Sequence, residues 1–457
     1  MENVIALQNP WKRGQPALDR TIIARQIVPA IEKWLPEEEI IILKGARQAG
    51  KTTIIHCLID KLLKLGVKPE QIFYFLLDNI KLQQEFSQHP YALKNAIETF
   101  LGRTMENYPD RIYIFLDEVQ KFPSFAEMVK EYFDLLKNVK FILSGSSILQ
   151  LSDRISESLR GRTISFVVEP FSLAEVIPAV SSLALEDFLD FEQTRRQYAA
   201  AVPYQNEILL ALNKQFVYGS MPRIFLSKNN EQRQLRLEEY IQTLIRRDII
   251  ETLRVAKYLD FEKMLRLLSF QAAQILNVAS LASEVKLNAA TVRRYLTLAE
   301  ETFVIDRLPP FMSNRRKGLT KDQKVYFRDM GLRNHLCRKD TNDLLTFPDL
   351  GHEAENFVHI VLNKLMAHSR LSLPRFFFRS YQGQEVDFIV QLDDRLLPIE
   401  VKYQEKLNKS DFRNLLTFMD DEKIQTGLMV TKNRFEPQPF DDKLIVVVPL
   451  WLFSLLA

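Results

Sequence analysis

The sequence predicts an α/β protein in which a parallel sheet, covered by helices, precedes smaller mixed segments. Two observations carry this. Short apolar runs alternate with helical patterns over the first 170 residues, and the last hundred residues read helix, three strands, helix, strand. At 457 residues the chain exceeds one ordinary core, so several domains are expected. The patterns place them at 1–170, 171–259, 260–345 and 346–457.

The elements follow in order. Ile22 to Trp34 has the spacing of an amphipathic helix, and Glu39–Leu43 is an apolar run suited to a buried strand. A glycine-bearing loop comes next, then a helical pattern over Ile54–Leu65. Gln71–Leu77, Arg111–Leu116 and Val139–Leu143 supply three more strands. Residues 171–259 read as mostly helical, and 260–327 as short helices and strands. From Leu350 the pattern is helix His352–His368, strands Arg375–Tyr381, Gln384–Leu392 and Leu396–Tyr403, helix Lys409–Phe418, then strands Gln425–Val430 and Leu444–Val448.

Composition narrows the function classes. An apolar share of 46% and a charged share of 26% are ordinary for globular chains, which excludes disorder and collagen as the main theme. Lys plus Arg is 61 against 58 for Asp plus Glu, a net charge of only +3, so any nucleic-acid footprint must be local. Two cysteines, Cys57 and Cys337, make neither a disulfide scaffold nor a metal motif, and a reducing, cytoplasmic compartment is expected. The opening residues lack a secretory pattern. Leu444–Ala457 is apolar but only 14 residues long and holds Pro449, whereas a spanning helix needs about 20. A buried strand followed by a short core helix is expected there, with no membrane contact.

Gly45-Ala46-Arg47-Gln48-Ala49-Gly50-Lys51-Thr52-Thr53 matches the phosphate-loop pattern and lies between a strand and a helix. Its amides can turn inward around a triphosphate, and the helix N-terminus adds partial positive charge. Lys51 is expected on the β- and γ-phosphates of ATP and the Thr52 hydroxyl on Mg²⁺. The apolar strand Ile112–Leu116 ends in Asp117-Glu118, which suits a metal-holding carboxylate (Asp117) and a general base (Glu118). At the tip of the next strand, in Ser144-Gly-Ser-Ser147, Ser146 is the candidate contact to the γ-phosphate or water, against a plain turn. Arg160 and Arg162 are candidates for stabilising transition-state charge, against solvated surface arginines. Which of them acts, and whether within its own subunit or on a neighbour in a homo-oligomer, stays open.

Together GARQAGKTT, FLDEVQ, LSGSS, ESLRGR and PFSLAEV resemble bacterial and archaeal AAA-type ATPases related to the STAND class. YGSMPR, IRRDI, KVYFRDMGLR, EVDF and PIEVK resemble that family's C-terminal half. The resemblance implies a P-loop NTPase sheet joined to a C-terminal region of unassigned reaction. It also implies that Arg47 is a nucleotide contact.

Two further patterns point to DNA. Ser280–Lys286 and Asn288–Thr302 read as two helices joined by a tight turn, with Ser280 and Asn288 as N-caps. Phe303–Leu308 and Lys324–Phe327 would form a hairpin with Asn314-Arg315-Arg316-Lys317 at its tip. This suggests a winged helix-turn-helix contacting DNA through Arg293, Arg294, Arg315, Arg316 and Lys317. From Lys257 to Lys339 there are 16 Lys/Arg and 8 Asp/Glu, a local excess of +8. Docking on protein is the alternative use.

The C-terminal order of elements is that of restriction-endonuclease-like folds. Strand periodicity puts Glu400 and Lys402 on one face, and a hairpin can bring Asp387 to them. Asp387 and Glu400 suit Mg²⁺, Lys402 can orient the nucleophilic water, and Glu355 is the expected helix acid of a D…ExK signature. A surface salt bridge is the alternative reading of EVK.

The combined expectation is a P-loop NTPase sheet with a helical lid, a winged helix-turn-helix and a restriction-endonuclease-like α/β domain. Its function would be Mg²⁺-dependent ATP hydrolysis coupled to DNA, with branched or junction DNA suggested by an arrangement similar to that of branch-migration motors. The competing expectation is a STAND-like switch on protein partners, timed by ATP, with an inactive nuclease-like domain.

Overall fold

The computed structural model describes residues 2–18, 22–89, 91–122, 125–145, 159–244, 258–312, 322–337, 350–369 and 373–456. Its contacts divide the chain into two units, Met1–Glu169 and Pro170–Ala457.

In the first unit, runs of β-branched and aromatic residues form five strands: β1 Ile40–Lys44, β2 Ile72–Leu76, β3 Ile112–Asp117, β4 Val139–Gly145 and β5 Thr163–Val167. All pairs are parallel, in the order β2-β3-β4-β1-β5. Near-continuous apolar sequence is what a parallel sheet buried on both faces requires. β1 and β3 therefore end side by side with β4 between them, which gathers the loops after all three at one edge.

The helix expected over Ile22–Trp34 is confined to Val28–Glu32. Pro29 sits in its first turn, where a missing N–H is harmless, but a proline cannot continue a helix begun upstream.

The second unit opens with helices at Phe191–Ala201, Gln205–Tyr218 and Asn230–Thr243. Two helices follow, Val278–Val285 and Ala289–Glu301, joined through Lys286 in a left-handed conformation. Asn288 caps the second, as expected, but the first is capped by Asn277 in place of Ser280, whose own N–H donates to the Asn277 side chain. A three-stranded antiparallel sheet, β6-β8-β7, comprises β6 Gln274–Ile275, β7 Ile305–Leu308 and β8 Lys324–Phe327.

The last segment builds a mixed six-stranded sheet, β13-β14-β12-β11-β10-β9, behind the helix Gly351–Ser369. Its strands are β9 Arg375–Arg379, β10 Glu385–Leu392, β11 Arg395–Lys402, β12 Thr426–Thr431, β13 Glu436–Phe440 and β14 Lys443–Pro449. Both faces are covered. Phe357, Trp451 and Phe453 pack with Phe388, Ile399 and Val401 on one, and Phe412, Phe418 and Met419 pack with Val386, Ile389 and Met429 on the other. The helix expected over Lys409–Phe418 splits into a 3-10 turn, Lys409–Phe412, and an α-helix, Arg413–Asp421. Leu444–Leu456 folds as expected of the apolar terminal run, as strand β14 followed by a buried short helix, Leu450–Phe453.

The motifs YGSMPR and RDMGLR meet in the core of this unit. The Asp329 carboxylate accepts from the N–H groups of Ser220 (2.9 Å) and Leu332 (3.1 Å). Buried Lys364 donates to the Phe171 carbonyl and to Ser220 Oγ, and Arg333 pairs with Glu353 at 2.8 Å. A Cβ on Gly219 would lie 2.1 Å from Asp329 Oδ1, and its φ of 81° is one that side-chain-bearing residues rarely adopt. Gly219→Ala should therefore destabilise this unit by on the order of 3 kcal/mol, read from the denaturant midpoint of the full chain.

Candidate functional site

The loop between β1 and the helix Lys51–Lys64 is shaped by close approach. A Cβ on Gly45 would stand 2.3 Å from the Val168 carbonyl oxygen. Gln48 takes a left-handed conformation (φ 62°), which turns the loop back toward the helix. Lys51 is buried, and its ammonium donates to the carbonyls of Gly45 (2.9 Å) and Ala46 (2.8 Å). Arg25 braces the loop from outside by donating to the Ala49 carbonyl at 3.0 Å.

Asp117, at the end of β3, is fully buried and collects four donors. Thr52 Oγ1 donates to its Oδ2 at 2.7 Å and Tyr74 Oη to the same oxygen at 2.9 Å. Ser144 Oγ donates to Oδ1, as does the Glu118 N–H at 3.1 Å. Glu118 stands beside it in a left-handed conformation and accepts from Gln120 Nε2 at 2.5 Å. Burial pushes the Glu118 carboxyl above its ordinary pKa, while the Lys51 and Arg47 cations pull the other way. A cation-lined loop and hard oxygens from Thr52 and Asp117 suit a nucleotide with Mg²⁺.

Thr52, Asp117 and Glu118 are thus brought together as the sequence suggests, within reach of Lys51. Ser146 lies outside the described residues. Arg162 is not brought to the loop. It precedes β5, whose Thr163 lies opposite Ile40 at the start of β1, so roughly 13 Å of strand separates it from the loop after Lys44. Its guanidinium forks onto Asp134 at 2.9 and 3.2 Å, and Arg160 is exposed. Tyr74 and Ser144 were missed by sequence reasoning. Only Ser144 left a signal, its place in the SGSS strand tip.

The second cluster lies in the C-terminal unit. A bulge on β10 between Val386 and Ile389 breaks the pairing with β9, so Val386 and Phe388 pack on opposite faces. Asp387 Oδ2 accepts from the Val401 N–H at 2.9 Å, which fixes it against β11. Lys402 Nζ lies 2.6 Å from Glu400 Oε1, while buried Glu400 Oε2 has no hydrogen-bond partner. Burial, then the Asp387 charge, pushes the Glu400 carboxyl up to about 8. Asp387, Glu400, Lys402 and Glu355 are therefore neighbours.

Sequence reasoning missed the residue at the centre of this cluster, Lys324 of β8. Its ammonium, 1% exposed, lies 2.8 Å from Glu355 Oε1, 2.5 Å from Glu385 Oε1 and 3.4 Å from Asp387 Oδ1. Tyr326 Oη donates to Glu355 Oε1 at 2.6 Å. Burial works against the Lys324 charge, yet Tyr326 and the carboxylates hold its pKa well above the ordinary value. Among the described residues no three acidic, histidine or cysteine side chains are grouped to hold a metal ion. The Mg²⁺ expected on Glu355, Asp387 and Glu400 does not fit this arrangement, because an ammonium stands among the carboxylates.

On the DNA side, Arg293 and Arg294 are exposed on the helix Ala289–Glu301. Arg315, Arg316 and Lys317 lie outside the described residues. Part of the local basic excess is internal, since Lys324 and Arg333 are buried and Arg307 and Arg328 pair with Glu300 and Asp306. Among the described residues no helix is long and apolar enough to cross a membrane.

Comparison with known proteins bears on the domain that carries the first site. Residues 37–177 match a family model described as an AAA domain. Residues 209–343 and 350–453 match two domains of unknown function, DUF8612 and DUF4143. The chain therefore carries an AAA-type P-loop ATPase domain, joined to a C-terminal domain whose role is unassigned. An uncharacterised protein of Haemophilus influenzae is 22% identical over 431 residues, covering 91% of this chain and 94% of that one. One of Methanocaldococcus jannaschii is 24% identical over 450 residues (94% and 92%), and one of Mycobacterium tuberculosis 24% over 380 (83% and 73%). Among solved structures, the Saccharomyces cerevisiae Hsp104–ADP complex is 15% identical over 79% of this chain and 45% of its own, with a TM-score of 0.31.

The Tyr74 hydroxyl holds an oxygen of Asp117 that would otherwise answer to Thr52 alone. Tyr74→Phe should raise the Mg²⁺ concentration needed for half-maximal nucleotide binding by about three- to tenfold, the equivalent of one lost hydrogen bond. Titration of Mg²⁺ against a fluorescent non-hydrolysable ATP analogue measures this.

Proposed function

We propose that this protein is a Mg²⁺-dependent ATP hydrolase whose nucleotide state governs a DNA-engaging C-terminal half. The observation that carries the ATPase reading is the 2.7 Å link from Thr52 to Asp117, with Lys51 and Glu118 beside it. ATP supplies the phosphoryl group and Mg²⁺ neutralises charge on its oxygens. Lys51, now satisfied by two loop carbonyls, carries a cation that the phosphates compete for. Asp117 and Thr52 would hold the metal, and Glu118 would orient and deprotonate the attacking water. Its raised pKa makes it a stronger base than an exposed carboxylate. Glu118→Gln should slow hydrolysis by about 10²–10⁴ while nucleotide binding persists, and Lys51→Ala should remove binding itself. An unchanged rate in Glu118→Gln would take the base role from that residue.

The DNA reading rests on the exposed pair Arg293 and Arg294, on the helix pair Val278–Val285 and Ala289–Glu301, and on the hairpin β7–β8, together a winged-helix-like order. The sheet and helix order after Gly351 supports a restriction-endonuclease-like domain on the same grounds. Branched or junction DNA is the proposed substrate. Binding to a four-way junction should weaken at least about tenfold between 50 and 200 mM salt, and Arg293→Ala with Arg294→Ala should flatten that dependence. Salt-independent affinity would sink the DNA reading.

One observation favours the second reading, an ATP-timed switch acting on protein partners: the Lys324 ammonium among the carboxylates where a nuclease would hold metal.

A further inference from the structure

Glu118 follows β3 in a left-handed conformation (φ 58°), which a residue with a Cβ keeps only where its surroundings over-determine it. Its backbone is pinned on both sides. The N–H donates to Asp117 Oδ1 at 3.1 Å and to Ser144 Oγ at 3.4 Å, and the carbonyl accepts from the Lys121 N–H at 2.9 Å. The chain then runs through a 3-10 turn, Val119–Lys121. Val119 and Phe122, on either side of the middle of that turn, are buried in the core beneath the sheet. Gln120, between them, is 8% exposed, so its amide is seated by packing and not by solvent.

Gln120 Nε2 donates to Glu118 Oε2 at 2.5 Å, and among the described residues nothing donates to Glu118 Oε1. Lys51 and Arg47 act electrostatically on the same carboxylate, so it stands within the field of the loop that would carry the phosphates. A glutamate side chain has three rotatable bonds, whereas a general base must sit within hydrogen-bond reach of the proton it takes. We propose that Gln120 is a positioning residue for ATP hydrolysis: its amide anchors one oxygen of Glu118 so that the other is held toward the attacking water. The inference rests on the reading of Glu118 as the base, and it adds what fixes that base in place. A rigid partner of this kind removes the disorder that would otherwise be lost at each turnover.

The test measures kcat for ATP in the full chain at saturating Mg²⁺, beside affinity for a fluorescent non-hydrolysable ATP analogue. Gln120→Met keeps the length of the side chain and removes its donor. It should lower kcat about ten- to hundredfold while affinity stays within about twofold of the parent, the mark of an interaction that serves the transition state. Added to Glu118→Gln, it should slow hydrolysis no further, because Gln120 acts through the carboxylate that is then gone. If Gln120→Met melts well below the parent, Gln120→Glu, which keeps the shape and turns the donor into an acceptor, should show the same loss. A parental kcat in both variants overturns the proposal. So does a raised kcat, which would make Gln120 a restraint on the base, a loss of affinity in step with the rate, or an additive loss in the double variant. Glu118→Gln separates the two claims. If it is slow, a parental rate in Gln120→Met sinks only the positioning role, whereas a parental rate in Glu118→Gln sinks the base and the positioning role with it.

Discussion

The nucleotide site depends on one buried carboxylate. Asp117 is where three strands and a helix meet, through Tyr74 of β2, its own place on β3, Ser144 of β4 and Thr52 of the helix after β1. Each donor comes from a different element, so the carboxylate is held only if β2, β3, β4 and the loop helix are all in register. The sheet order puts these tips side by side, and the hydrogen bonds turn that proximity into a fixed position. The chemistry and the integrity of the sheet are therefore one problem. A shift of β2 or β4 by one residue would leave Asp117 buried with fewer donors, at a cost comparable to losing a hydrogen bond for each.

The C-terminal unit uses the same economy with the signs reversed. Lys324, Lys364 and Arg333 are buried cations, each answered by carboxylates, carbonyls or a hydroxyl from elements distant in sequence. Buried ion pairs add little net stability but are expensive to break, so they select one packing arrangement over its near alternatives. YGSMPR and KVYFRDMGLR owe much of their character to this. The Asp329 side chain needs glycine opposite it and backbone N–H groups to accept from, which places YGSMPR and the RDMGLR part of the second motif in the framework.

Much of this was legible in the sequence because the signals are local. The phosphate loop is contiguous, Asp117 and Glu118 close an apolar strand, and EVD and IEVK announce their faces by alternation. The remainder depended on long-range geometry. Lys324 read as one more positive charge in a basic segment, because nothing near it in sequence records the three acids that surround it. Tyr74 looked like a core aromatic of β2, and its hydroxyl matters only because β3 ends beside it. Arg162 was a candidate for stabilising transition-state charge, yet β5 runs parallel to β1, which returns its first residues to the opposite edge of the sheet. The β10 bulge shifts alternation by one residue, an event without a sequence marker here.

Strand β13 was also passed over, since Glu436-Pro-Gln-Pro-Phe440 has the composition of a loop. Among the described residues it pairs with β14 alone and forms one margin of the six-stranded sheet. Pro437 and Pro439 fall at alternate positions, and neither can donate from its nitrogen. A further strand laid against that margin would find its hydrogen-bonding ladder interrupted twice in five residues, so the border resists templated growth. A sheet this apolar on both faces would otherwise invite its own copies to continue it, and two imino acids are enough to end the series.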